Sequence, residues 1–211
     1  PFVVADGVLG QDGREHEVKG AHIRRAKVPS FVGYLDSLPV LSHATGHIFT
    51  GYAGAIKNVA MGMSCRATKQ VQHSSVKPTV EEAKCTACGR CVRICPVQAI
   101  SPGKNKRAVI DARACIGCGE CLCACAFEAV VVNWDEDMDI FGERMVDVAR
   151  FVLSQFKKKF FITFAFDITQ ECDCISTNKD PMIMRDFGIL ASDDPLALDF
   201  ANTLLCRHRQ L

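Results

Sequence analysis

The stretch from Cys85 to Cys125 constrains this chain more than any other. It reads Cys85-Thr-Ala-Cys88-Gly-Arg-Cys91-Val-Arg-Ile-Cys95-Pro96 and, after a spacer, Cys115-Ile-Gly-Cys118-Gly-Glu-Cys121-Leu-Cys123-Ala-Cys125. Each half is C-x2-C-x2-C-x3-C. Three thiols at this spacing line one tight loop; the fourth lies about a helical turn further on and points the other way. A zinc ribbon requires only two C-x2-C pairs and leaves Cys91, Cys95, Cys121 and Cys125 without a role. A disulfide framework suits small secreted chains. This chain has 211 residues, and its start carries no signal-peptide pattern.

The double motif resembles that of bacterial two-cluster ferredoxins, Cys95-Pro96 included. In such ferredoxins the fourth cysteine of each run ligates the other cluster. The resemblance therefore implies two [4Fe–4S] clusters. One is held by Cys85, Cys88, Cys91 and Cys125, the other by Cys115, Cys118, Cys121 and Cys95. Two departures stand out: Ala126 occupies the place of a second proline, and Cys123 is an extra thiol that competes with Cys125 as a ligand. Strands over 107–110 and 130–132 and short helices over 89–95 and 119–125 are predicted, a hairpin-plus-helix unit used twice.

The flanks read differently. Apolar content of 48% and charge of 23% describe an ordinary globule, long enough for one or two domains. The formal net charge of +1 gives no strong pull toward nucleic acid or anionic membrane. No apolar run reaches the ~18 residues of a membrane span. Thirteen cysteines, mostly in ligand spacing, predict a reducing, cytoplasmic setting. The chain opens on an apolar run without Met, as a piece of a longer protein would.

Strands are predicted at Pro1–Ala5, Ala21–Val28, Leu38–Ser42, Phe160–Asp167 and Gly188–Ser192. A short helix is predicted over Ser30–Ser37 and a long one over Asp135–Lys158. The long one has Phe141, Met145, Val148, Val152 and Phe156 on one face, acidic residues at its start and Lys157, Lys158 and Lys159 at its end. A last helix follows the Asp194 cap and Pro195, with Ala197, Phe200, Ala201, Leu204 and Leu205 as its apolar face. Strands alternating with helices predict an α/β domain with a mostly parallel sheet, from residues 1–78 and 134–211, interrupted by an α+β ferredoxin-like insert at 79–133. After the strand at Leu38–Ser42, His43 to Asn58 reads as a Gly-rich loop entering a helix, which presents backbone N–H groups to an anion. The P-loop pattern is absent. Gly51 and Gly54 are equally explained by close packing.

The segment His43–Lys57, the double cysteine motif, Cys172-Asp-Cys174 and Gly188-Ile-Leu-Ala-Ser-Asp-Asp-Pro-Leu-Ala-Leu-Asp199 together resemble the iron–sulfur members of the DUF362 family, over nearly the whole chain. That family name implies no reaction. A shorter likeness links His47-x3-Gly51-Tyr52-Ala53-Gly54-x2-Lys57 to lactate racemases carrying a nickel–pincer nucleotide. It implies a proton shuttle at His47, a cofactor-holding Lys57, a nickel ligand at His73 and a second cofactor in the α/β domain. Gly54-Ala55 departs from the racemase Gly-Gly. Cys172 and Cys174, with Cys65 as a third ligand, are candidates for a soft-metal site. Two functions are carried forward. One is single-electron transfer with a redox protein partner. The other is an enzyme, an oxidoreductase component or racemase-like, with its pocket at the His43–Lys57 loop. Purely structural clusters are a third role.

Overall fold

The computed structural model describes residues 2–73, 77–132, 138–174 and 180–208. In chain order the strands and helices are β1 (Gly13–Glu17), β2 (Arg25–Pro29), β3 (Ser37–His43), β4 (Thr45–His47), β5 (Gly51–Ala53), α1 (Ala55–Gly62), α2 (Arg66–His73), β6 (Thr79–Val80), α3 (Arg90–Ile94), β7 (Ile100–Pro102), β8 (Ala108–Ile110), α4 (Glu120–Ala124), β9 (Val130–Val131), α5 (Met138–Ser154), β10 (Lys158–Ala165), β11 (Gly188–Ser192) and α6 (Pro195–His208). The chain divides into two compact units, residues 1–64 with 137–211, and residues 65–136. The second begins well before the predicted boundary at 78, because α2 packs with the cysteine segment.

The first unit is built on a three-stranded sheet in the order β11-β10-β3. The sheet is mixed, where a mostly parallel one was expected: β10 runs parallel to β3 and antiparallel to β11. The connections explain this. A parallel pair requires a crossover containing helices, and α1, the whole second unit and α5 lie between β3 and β10. Between β10 and β11 no helix intervenes among the described residues, so the chain turns back alongside itself. On β10, alternation buries Phe161, Thr163 and Ala165 and leaves Phe160 exposed. Helices α1 and α6 pack on the sheet, and α5 packs on α1.

The predicted face of α5 is the buried one: Phe141, Met145, Val148 and Val152, and Phe156 just beyond its end, are each at most 4% exposed. Burial of such side chains contributes roughly 1.5–3 kcal/mol each. Asp135, Glu136 and Asp137, the expected acidic start, lie outside the described residues. The helix ends at Ser154, ahead of the lysines. Lys159 lies on β10 and donates to the carbonyls of Leu153 and Phe156 at 3.2 and 3.1 Å, closing the helix end from outside.

Other expectations are corrected. Phe2, Val3 and Val4 form no strand; they are exposed and run directly into turns from Ala5. The helix expected over Ser30–Ser37 is absent: residues 30–36 form turns in which Gly33 sits at φ +93°, outside helical space, and Ser37 begins β3. Strand β1 was not predicted, since Gly-Arg-His-Glu chemistry gives no apolar alternation; it exists by pairing with β2, Gly13 against Pro29. The inward face of α6 is Leu198, Asp199 and Asn202, while Ala197, Phe200 and Leu204 are exposed. The helix is turned so that Asp199 reaches α1: its carboxylate accepts from the N–H groups of Ala55 and Ile56 at 2.7 and 2.9 Å.

The second unit repeats itself. Two antiparallel pairs, β6 with β9 and β7 with β8, accompany two short helices, α3 and α4, that pack on each other. The backbone repeats with an offset of thirty residues. Ala87 and Gly117 are at φ +59° and +71°, Gly89 and Gly119 at +69° and +71°, and Gln98 and Glu128 at +53° and +51°. Left-handed residues at the same steps bend both loops around the same kind of centre. Arg66 of α2 holds the buried Glu120 of α4 in an ion pair, which fixes α2 to this unit.

Candidate functional site

In the second unit the cysteines replace a conventional core. Its central cluster has twelve members, of which five are Cys85, Cys91, Cys95, Cys121 and Cys125. The eight motif cysteines sort crosswise into two recesses. Cys85, Cys88, Cys91 and Cys125 line one cavity of about 390 Å³, closed by Val80, Ala108, Phe127 and Val130. Cys95, Cys115, Cys118 and Cys121 line a narrower recess of about 10 Å³ with Pro96 and Ile100. Cys123 is exposed and lines neither.

Backbone N–H groups point at the sulfurs in matching places. Ala99 donates to Cys95 at 3.2 Å and Ala129 to Cys125 at 3.3 Å, four residues on in both halves. Ala108 donates to Cys85 at 3.5 Å and Gly117 to Cys115 at 3.4 Å. Burial pushes the thiols of Cys91 and Cys118 up, and that of Cys121 up to about 12. At Cys125 burial also pushes upward, but the N–H groups of Phe127, Ala129, Val130 and Glu128 outweigh it and hold the thiol below its ordinary value. Thiols this buried ionise when a cation compensates them. Among the described residues no three His, Cys, Asp or Glu gather as ligands of a single ion. The donor set, the repeated backbone and the first cavity suit a polynuclear thiolate-bound group; the second recess matches it in donors and backbone.

The first unit has a separate cluster where the parallel strands β3 and β10 end, the usual edge for chemistry in α/β sheets. His43, the last residue of β3, bonds through Nδ1 to the Asp173 carboxylate at 2.9 Å and through Nε2 to the Phe166 carbonyl at 2.7 Å. Both partners are acceptors, an arrangement that favours hydrogen on both ring nitrogens and so the charged form of the ring. Burial alone would lower its pKa; the Phe166 carbonyl and the Asp173 carboxylate outweigh this and raise it. Asp173 lies between Cys172 and Cys174, which are joined as a disulfide with Cα atoms 5.4 Å apart. From α1, Lys57 brings its amine to 3.7 Å from the Cys174 sulfur. Burial lowers the Lys57 pKa, and Asp173 opposes that shift.

The expected pocket residues are placed as follows. Lys57 reaches this cluster. His47 is buried in the β4–β5 turn, where its Nδ1 accepts from Phe49 and Thr50 N–H at 3.2 and 3.3 Å and its ring stacks on Phe141 at 5.7 Å. His73 ends α2 in the other unit, with Nδ1 donating to the Lys69 carbonyl at 2.6 Å. Cys65 is buried in that unit too. The anion expected at the start of α1 turns out to be the chain's own Asp199. A Cβ at Gly54 would overlap that carboxylate and the Tyr52 hydroxyl, so Gly54 serves close approach. Sequence reasoning passed over His43 and Asp173. Their one signal was position, at a strand end and between two cysteines.

A family model described as "Domain of unknown function (DUF362)" matches residues 2–203. The chain belongs to this family. No curated protein matches it. Both clusters fall inside the matched span, so this DUF362 chain carries its cysteine unit within the family domain.

Proposed function

We propose that this DUF362 chain is an electron-transfer protein holding two [4Fe–4S] clusters in a ferredoxin-like module, one on Cys85, Cys88, Cys91 and Cys125, the other on Cys115, Cys118, Cys121 and Cys95. The observation that carries this reading is the crosswise sorting of eight thiols into two recesses, in the pairing that two-cluster ferredoxins use. Each cluster, when bound, takes up and releases one electron. The chain's residues supply the rest. Each set of four cysteines would hold one cluster at all its corners, leaving no ligand position for substrate. N–H groups of Ala99, Ala108, Gly117 and Ala129 aim at ligand sulfurs, where they stabilise the more negative state and so set the potential. Val80, Phe127 and Val130 add apolar lining to the first site. A redox protein partner and a reducing, cytoplasmic setting complete the reading.

Iron and sulfide analysis of anaerobically purified protein tests it, with about eight of each expected per chain. A stable zinc content without brown colour refutes it. Reversible reduction without unfolding separates electron transfer from a purely structural role.

A further inference from the structure

Among the described residues, Cys172 and Cys174 form the one disulfide. The pair belongs to neither quartet and stands at the edge where β3 and β10 end. Its two sulfurs are unequal. Cys172 is 2% exposed, whereas Cys174 is exposed and has the Lys57 amine at 3.7 Å. An ammonium next to a sulfur favours the thiolate, which is the nucleophile in disulfide exchange. The intervening Asp173 bonds to His43 and also acts on the Lys57 amine, which it helps keep charged. That amine faces the Cys174 sulfur.

We propose that Cys172 and Cys174 form a thiol–disulfide exchange centre, with Cys174 as the attacking cysteine, Cys172 as the resolving one and Lys57 as the group that stabilises the Cys174 thiolate. The substrate class is an accessible disulfide on a protein or small thiol compound. In the reduced centre, the Cys174 thiolate attacks one substrate sulfur. The substrate S–S bond breaks, a Cys174–substrate disulfide forms, and the departing thiolate takes a proton from solvent. Cys172, losing its proton, then attacks the Cys174 sulfur. The mixed disulfide breaks, the second substrate thiolate leaves and is protonated, and Cys172–Cys174 is restored. The substrate gains two electrons and two protons, and the centre loses the same. An external dithiol returns the centre to its reduced form by the reverse exchange. This centre goes beyond the electron-transfer reading and does not depend on the clusters.

Trypsin releases residues 160–179, which contain these two cysteines and no other. The full chain is equilibrated anaerobically in dithiothreitol or in oxidised glutathione, alkylated, digested and weighed. The expected result is reversible interconversion of disulfide and dithiol in this peptide. Under limiting alkylation at pH 7, Cys174 should label about tenfold faster than Cys172, and Lys57→Met should slow Cys174 labelling about tenfold. Lys57→Arg should keep most of the rate, and a circular dichroism spectrum identical to the parent shows that the Met variant folds. The wild-type measurement stands whatever the variants do. A peptide that stays dithiol in oxidised glutathione overturns the proposal. So does faster labelling of Cys172, an unchanged rate in folded Lys57→Met, or zinc bound stoichiometrically to this pair.

Discussion

The two units assemble their chemistry in opposite ways. In the cysteine unit, the eight motif thiols lie between residues 85 and 125, and their spacing is the same in both halves. Local backbone geometry does most of the work there, since left-handed residues recur at equivalent steps and aim N–H groups at sulfur. In the α/β unit the cluster is drawn from β3, α1 and the loop after β10. His43 meets Asp173 across 130 residues, and Lys57 meets Cys174 across 117. A site of the first kind tolerates changes in its surroundings and fails when a ligand is lost. A site of the second kind depends on the sheet and helices that bring its parts together.

Three substitutions would break or sharpen this contrast. The largest effect belongs to Cys95→Ser. Its thiol lines the recess of Cys115, Cys118 and Cys121, so iron should fall from about eight to about four per chain, with the loss at that distant quartet. Mössbauer or paramagnetic resonance spectra showing the damage at Cys85, Cys88 and Cys91 instead would refute the crosswise arrangement.

Next comes Asp199→Ala, which tests how far the α/β unit relies on one long-range contact. The variant leaves two N–H groups at the start of α1 without their acceptor. The expected cost is about 2 kcal/mol, a Tm lower by roughly 4–8 °C for a protein of this size. Asp199→Asn, which keeps one oxygen acceptor, should lose about half of that. A melting curve unchanged in the Ala variant would show that α1 is held by packing alone.

The smallest effect is pH-dependent. The folded pKa of His43 lies above its ordinary value of 6.5. Its contribution is therefore fully present below pH 6.5 and is lost as pH rises through the folded value. Protection of the 166–174 loop, taken as exchange relative to the intrinsic rate at each pH, should fall across that window in the parent protein. In His43→Gln protection should already be lower at low pH and show no such step. Protection that stays constant with pH in the parent would remove the assignment of a charged His43.

What could be read in the sequence follows the same division. Helices α3 and α4 and strand β8 follow from spacing over a few residues, where chain geometry leaves little freedom. Strand β11 and the buried face of α5 follow from apolar periodicity. The exposed face of α6 was misassigned because the helix is oriented by a polar contact, Asp199 on α1, which no hydrophobic pattern encodes. Antiparallel β11 was indistinguishable from a parallel strand, since a strand's direction depends on what connects it. His43 and Asp173 carry ordinary residue types at ordinary spacing; only the pairing of β3 with β10 gives them a common location.

The crosswise sorting of the thiols also sets an order of events as the chain leaves the ribosome. The first cavity has three of its cysteines by residue 91 but waits for Cys125 to supply the last. The second receives Cys95 early and is complete at Cys121. The quartet that starts later therefore closes first, and neither half, made alone, owns a full set. A chain stopped between these halves carries three cysteines of one set and one of the other. On the proposed two-cluster reading, both sites would be loaded late in translation, once Cys121 and Cys125 have emerged.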